Sequence, residues 1–135
     1  MGNGIKKEME NLVKEIETKY QTNLADRLFN FAIQTLKHLN IFPKLKRLDV
    51  IQYQLSKSVT SIGANYEEAQ GASSRKDFVY KISICLKEAR ESNYFLRIVG
   101  ELKICDLEKS NLLVQESEEI KKILGAILVR SKGSI

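Results

Sequence analysis

Apolar residues recur along most of this chain at intervals of three and four, the period of a helix with one buried face. From Asn23 or Asp26 onward, Leu28, Phe29, Ala32, Ile33, Leu36 and Leu39 keep that period. The pattern stops at Asn40-Ile41-Phe42-Pro43, where proline disfavours helical geometry in the residue before it. A second helix is expected from about Lys44 to Gln70, on Leu48, Ile51, Leu55, Val59, Ile62, Tyr66 and Ala69, with Gly71 as its stop. A third opens at Ser74, a candidate N-cap with Asp77 three positions on, and carries Phe78, Ile82, Cys85, Ala89, Ser92, Leu96 and Val99 as its seam. The periodicity fades from Lys103 to Ser110. Ser110 is expected to cap a fourth helix with Leu113, Ile120, Leu124 and Ile127 on its apolar face.

Four helices with short connections bury their seams most simply as an antiparallel up-and-down four-helix bundle, so the expected class is all-α. The bundle is placed at residues 23–130 and a frayed tail at 131–135. Residues 1–22 are expected to form an extension with a short helix, whose thin stripe is Ile5, Met9, Leu12, Val13 and Ile16. With the turn between the second and third helices centred near Ser73, antiparallel counting sets Ser58 near Glu88 and Ile62 near Ile84. Lys57 is then expected to meet Glu88 or Glu91.

Composition narrows the function classes more than it names one. The chain has 135 residues, 43% of them hydrophobic, which is one domain's worth of core, and a single proline suits long helices. A formal net charge of +5 leans towards polyanions or acidic partners. Cys85 and Cys105, the only cysteines, have no CxxC spacing, so neither a zinc site nor a disulfide framework is indicated. No apolar run approaches the roughly 20 residues needed to cross a bilayer, and charges alternate where a signal peptide has its apolar core. The expectation is a cytoplasmic protein with reduced thiols, no membrane association and no cofactor.

Thr60-Ser61-Ile62-Gly63-Ala64-Asn65, Glu67-Glu68-Ala69-Gln70-Gly71, Ser74-Arg75-Lys76-Asp77-Phe78, Lys87-Glu88-Ala89-Arg90-Glu91 and Tyr94-Phe95-Leu96-Arg97 resemble the bacterial four-helix-bundle family also described as proteins encoded within intervening sequences of 23S ribosomal RNA genes. The likeness covers about Asp26 to Arg130. That family is similar in fold to the accessory variability determinant protein of diversity-generating retroelements. The resemblance implies a pentameric barrel of bundles that binds nucleic acid, and no enzyme activity.

Read from the residues alone, the third helix carries a second row opposite its seam: Lys76, Tyr80, Ser83, Lys87, Arg90, Tyr94 and Arg97, spaced four then three. Cations interleaved with aromatic rings suit phosphate contacts and base stacking, the requirement for sequence-tolerant binding of RNA or DNA. The plainer alternative is a solvated face whose cations pair with Glu91, Glu101 and other carboxylates. A flank of Ile84, Phe95, Ile98 and Leu102 adds more apolar surface than one face needs, so a second copy or a different protein partner is expected to cover it. The resemblance points to a homo-oligomer, a pentamer. The competing function is a protein-interaction adapter acting through that flank.

Asn65, Glu67 and Glu68 sit among Ser61, Gly63 and Ala64, where helices can approach closely. Consecutive glutamates point roughly 100° apart on a helix and do not converge on a metal or substrate. They are expected instead in a structural polar network with Lys57, Glu88 and Glu91, reaching Lys81, Lys87 or Arg90. His38, the sole histidine, is expected as a cation at a helix C-terminus, and Cys85 as a small core residue. Cys105 is read as a surface thiol.

Overall fold

The computed structural model describes residues 4, 7, 8, 10–14 and 23–133, and every regular element among them is helical. Four long helices follow in order: α1 (Leu24–Leu39), α2 (Asp49–Gln70), α3 (Arg75–Leu102) and α4 (Leu107–Gly133), with a 3-10 turn (Lys46–Leu48) before α2. Together they form a helical bundle.

Local chemistry sets the boundaries. Asn23 Oδ1 accepts from the Asp26 N–H at 3.0 Å, and Ser74 Oγ accepts from the Asp77 N–H at 3.0 Å, satisfying first-turn donors of α1 and α3. For α4 the cap is Asp106, whose Oδ1 accepts from the Lys109 N–H at 3.2 Å. The expected cap, Ser110, lies inside the helix and is buried. α2 starts later than expected, because the chain after Pro43 runs through the 3-10 turn first. Gly71 ends α2 at φ −99°, without left-handed backbone, whereas Lys103 closes α3 at φ 54°. α4 continues into the stretch expected to fray, because Ser131 is buried and its hydroxyl donates to the Ile127 carbonyl at 2.6 Å.

All seven seam residues of α3 are buried, and so are those of the second helix except Ile51, which is half-buried. In α1 the buried face is rotated: Leu24, Leu28, Phe31, Thr35, His38 and Leu39 face the core, while Phe29 is 69% exposed and Ala32, Ile33 and Leu36 are half-buried. Two apolar stripes run side by side on α1, and the 3.6-residue period alone does not choose between them. Val13 of the N-terminal segment joins the core, and Glu8 pairs with Arg75 at 2.7 Å. The expected extension residues Ile5, Met9 and Ile16 lie outside the described residues.

Bonds between helices fix their pairing. Ser92 Oγ donates to Ser58 Oγ at 2.9 Å, Cys85 Sγ to the Ile62 carbonyl at 3.4 Å, and Lys81 Nζ to Glu68 Oε1 at 2.8 Å, so α2 and α3 run antiparallel. Ser58 therefore meets Ser92 rather than Glu88. The shift of one helical turn follows in part from side-chain direction. Each side chain leans towards its own helix N-terminus, so antiparallel partners touch beyond the point where their Cα atoms are level. Arg27 with Glu116 and His38 with Ser110 place α1 antiparallel to α4.

Buried serines sit at the α2–α3 and α3–α4 contacts. Ser58 and Ser117 each donate to a carbonyl of their own helix, and the Ser92 hydroxyl, 2.9 Å from both Ser58 Oγ and the Glu88 carbonyl, shares its one proton between them, while these small side chains let the neighbouring helix come near.

Candidate functional site

α3 presents Lys76, Tyr80, Lys87, Arg90, Tyr94 and Arg97 to solvent, all exposed, with Tyr80 at 60% and Tyr94 at 54%. At roughly 1.5 Å per residue this row spans roughly 30 Å of helix surface. Among the described residues, neither Lys76 nor Arg90 has a carboxylate within 4.0 Å, and Lys87 reaches only Glu88, at 4.0 Å. Glu91 and Glu101, the carboxylates that a merely solvated face would use, form no ion pair with the row at that distance.

Arg97 is held from beneath. Its Nε donates to Asn93 Oδ1 at 3.0 Å and its guanidinium lies 5.7 Å from the Tyr94 ring centroid. Asn93 itself is buried between α3 and α4. Its Nδ2 donates to Ser117 Oγ at 2.9 Å and Glu118 Oε1 at 2.8 Å, and its Oδ1 also accepts from Lys121 Nζ at 3.5 Å. An asparagine so fully bonded fixes the guanidinium before any ligand arrives. In the sequence Asn93 is one polar residue between two helix faces, and its only signal is a position next to the seam residue Ser92.

The glutamates do not converge. Glu68 pairs with Lys81, whose ammonium is held above its ordinary range, chiefly by that hydrogen bond. Asn65 donates to the Ser61 carbonyl of its own helix at 2.9 Å, and Glu67 is exposed. Glu88 is buried and its carboxyl is pushed up, first by desolvation and then by the neighbouring Glu91 charge. Lys57 acts on Glu88 only through space, with no ion pair within 4.0 Å. The residues expected as one network are thus separate: Glu68 with Lys81, Asn65 within α2, and Glu88 beside Glu91.

Of the apolar flank on α3, Ile84, Phe95 and Ile98 are half-buried and only Leu102 is exposed. A more open apolar surface lies elsewhere. Between α1 and α2 a groove of about 230 Å³ is lined by Phe29, Ala32, Ile33, Thr60, Gly63 and neighbouring side chains, with Glu67 among them. A Cβ at Gly63 would sit 3.8 Å from Leu28 Cβ, an ordinary contact, so the α1–α2 crossing does not itself require glycine there.

His38 departs from its expected role. It is 3% exposed, and its imidazole is pushed below the ordinary range by burial and then by Lys109, so it is not a cation at the helix end. Cys85 is in the core, its thiol pushed up to about 12 by desolvation. Among the described residues no group of three or more His, Cys, Asp or Glu is placed to hold a metal ion, and no helix is long and apolar enough to cross a membrane.

The fold and this surface define an all-helical bundle protein with an open basic helix face. Its family follows from the sequence itself: the profile of the 23S rRNA-intervening sequence protein family matches residues 20–126, and the chain belongs to that family. It is similar to a solved protein of unknown function from the S23 ribosomal protein family of Bacteroides thetaiotaomicron. The two share 33% identity and a TM-score of 0.72 over 78% of this chain and 98% of that one. No curated protein matches the chain.

Proposed function

We propose that this protein is a non-enzymatic, cytoplasmic nucleic-acid-binding bundle, in which the α3 row holds phosphates through Lys87, Arg90 and Arg97 and stacks bases on Tyr80 and Tyr94. The observation that carries this reading is the missing neutralisation: cations on a solvated face usually take nearby carboxylates, and here Lys76 and Arg90 take none among the described residues. The bonding of Arg97 supports it, since the side chain is exposed and, among the described residues, its hydrogen bond to Asn93 uses Nε alone. We read the four helices as an antiparallel up-and-down bundle. Copies of it close into a ring, five in the form the family resemblance implies, so that several rows act together.

The test is RNA and DNA binding measured across salt. Each neutralised phosphate on a single strand contributes a slope of about −0.7 in log K against log salt, so a triple alanine variant at Lys87, Arg90 and Arg97 should lose a slope of about 2. Affinity that does not change between low and moderate salt would end this reading.

A second reading, a protein-interaction adapter, is favoured by the groove beside Phe29 rather than by the α3 flank. A stoichiometric protein partner on a nucleic-acid-free sample, lost on Phe29→Glu, would select it.

A further inference from the structure

Where α1 ends and the α3–α4 connection passes, three chemically active side chains meet. His38 Nε2 lies 2.8 Å from Ser110 Oγ and 3.2 Å from Cys105 Sγ, and the sulfur is 3.6 Å from the same hydroxyl. His38 and Ser110 are buried, whereas Cys105 is part-exposed, so a reagent arriving from solvent meets the sulfur first. His38 Nδ1 is buried with no hydrogen-bond partner among the described residues. The polar contacts of the imidazole therefore all run through Nε2, and that nitrogen is directed at the thiol and the hydroxyl. The basic row on α3 uses none of these groups. Cys85 differs in every respect, being fully buried with its sulfur on the Ile62 carbonyl.

Among the described residues no carboxylate orients Nδ1, which separates this cluster from the triads that cleave esters and amides. Exchange with a disulfide needs no such group, because the thiolate is a strong nucleophile once its proton has a place to go. Burial and then the Lys109 charge, against the weaker opposing effect of Asp106, lower the imidazole from its ordinary range, and the tautomer with its proton on Nδ1 leaves Nε2 to accept from the thiol.

We propose that Cys105 is a site of reversible S-thiolation by low-molecular-weight disulfides, with His38 taking up the thiol proton. In the step, Cys105 Sγ gives its proton to Nε2 and attacks one sulfur of the disulfide RSSR. A new S–S bond forms at Cys105, the old S–S bond breaks, and the departing thiolate leaves as RSH with the proton from Nε2. Cys105 is oxidised by the half of the reagent that is reduced. The adduct then crowds the His38–Ser110 bond that pins the end of α1 to α4.

The test incubates the full chain with oxidised glutathione near pH 7 and follows intact mass and peptide mapping. One glutathionyl group is expected on Cys105, none on Cys85, and release by dithiothreitol. A His38→Gln variant with unchanged helical circular dichroism should react at least about 10-fold more slowly, since general-base assistance typically contributes ~10²-fold or more. No adduct at Cys105, equal labelling of Cys85, or a His38→Gln rate equal to wild type each overturns the proposal. If that variant loses its helical signal, the wild-type pH profile decides. A shoulder in the imidazole range supports His38, and a profile parallel to that of a free thiol, falling away below about pH 8.5, overturns its role.

Discussion

At the scale of single residues, local geometry departs from what composition suggests at Lys103 and His38. Lys103 is held at φ 54°, where a side chain crowds its own backbone at a cost of about 1–2 kcal/mol. Glycine there removes the crowding but enlarges the unfolded ensemble, so Lys103→Gly is expected to stabilise the protein by a net ~0.5–1 kcal/mol, read in urea unfolding. His38 makes stability depend on pH with a definite sign. Its folded pKa lies below the ordinary 6.5, so the unfolded chain binds the proton more readily. The stabilising contribution is complete above pH 6.5 and is lost as pH falls from there through the folded value. A melting temperature that drops between pH 7 and 5, with that part of the drop absent in His38→Gln, is the expected outcome. Neither residue announces itself: a lysine gives no sign of a left-handed turn, and a lone histidine at a helix end reads as a favourable cation until burial is known.

At the scale of elements, helices were legible wherever one stripe was clearly the more apolar. The α3 seam from Phe78 to Val99 is buried throughout, with the cations on the opposite face and the apolar flank of Ile84, Phe95 and Ile98 only half-buried beside it. α1 was ambiguous because the stripe through Phe29 and Ile33 is as apolar as the buried one, whose members Thr35 and His38 look polar. Register was legible to within a turn, and the remainder lies in how side chains lean. The Asn93 cluster was not legible, since its meaning depends on Ser117, Glu118 and Lys121 from a helix far along the chain. Removing Asn93 takes away its bonds to Ser117 and Glu118, whose groups keep the Val114 carbonyl and Lys121 as partners, so Asn93→Ala should cost about 1–2 kcal/mol, the range of one or two lost hydrogen bonds. Arg97 should also lose its fixed position. Weakened nucleic-acid binding at temperatures where the variant is still folded would separate that effect from plain destabilisation.

At the scale of the whole molecule, Gly63 discriminates between a chain that acts alone and one that packs against copies of itself. Within one chain an added methyl has room, 3.8 Å from Leu28 Cβ, and alanine is favoured over glycine in a helix by roughly 1 kcal/mol. Judged on the single chain, Gly63→Ala is therefore a stabilising change. The same methyl would enter the floor of the groove beside Phe29, where a neighbouring copy would have to approach closely. If copies associate there, the variant should show a weaker assembly, seen as a lower solution mass at matched concentration, while each protomer keeps or gains helical stability. Because folding and association are linked through protomer concentration, melting must be compared at several concentrations. A variant with unchanged mass and a raised melting temperature at every concentration would remove this groove as the contact between copies. The basic rows on α3 would then have to act singly or be brought together through another face.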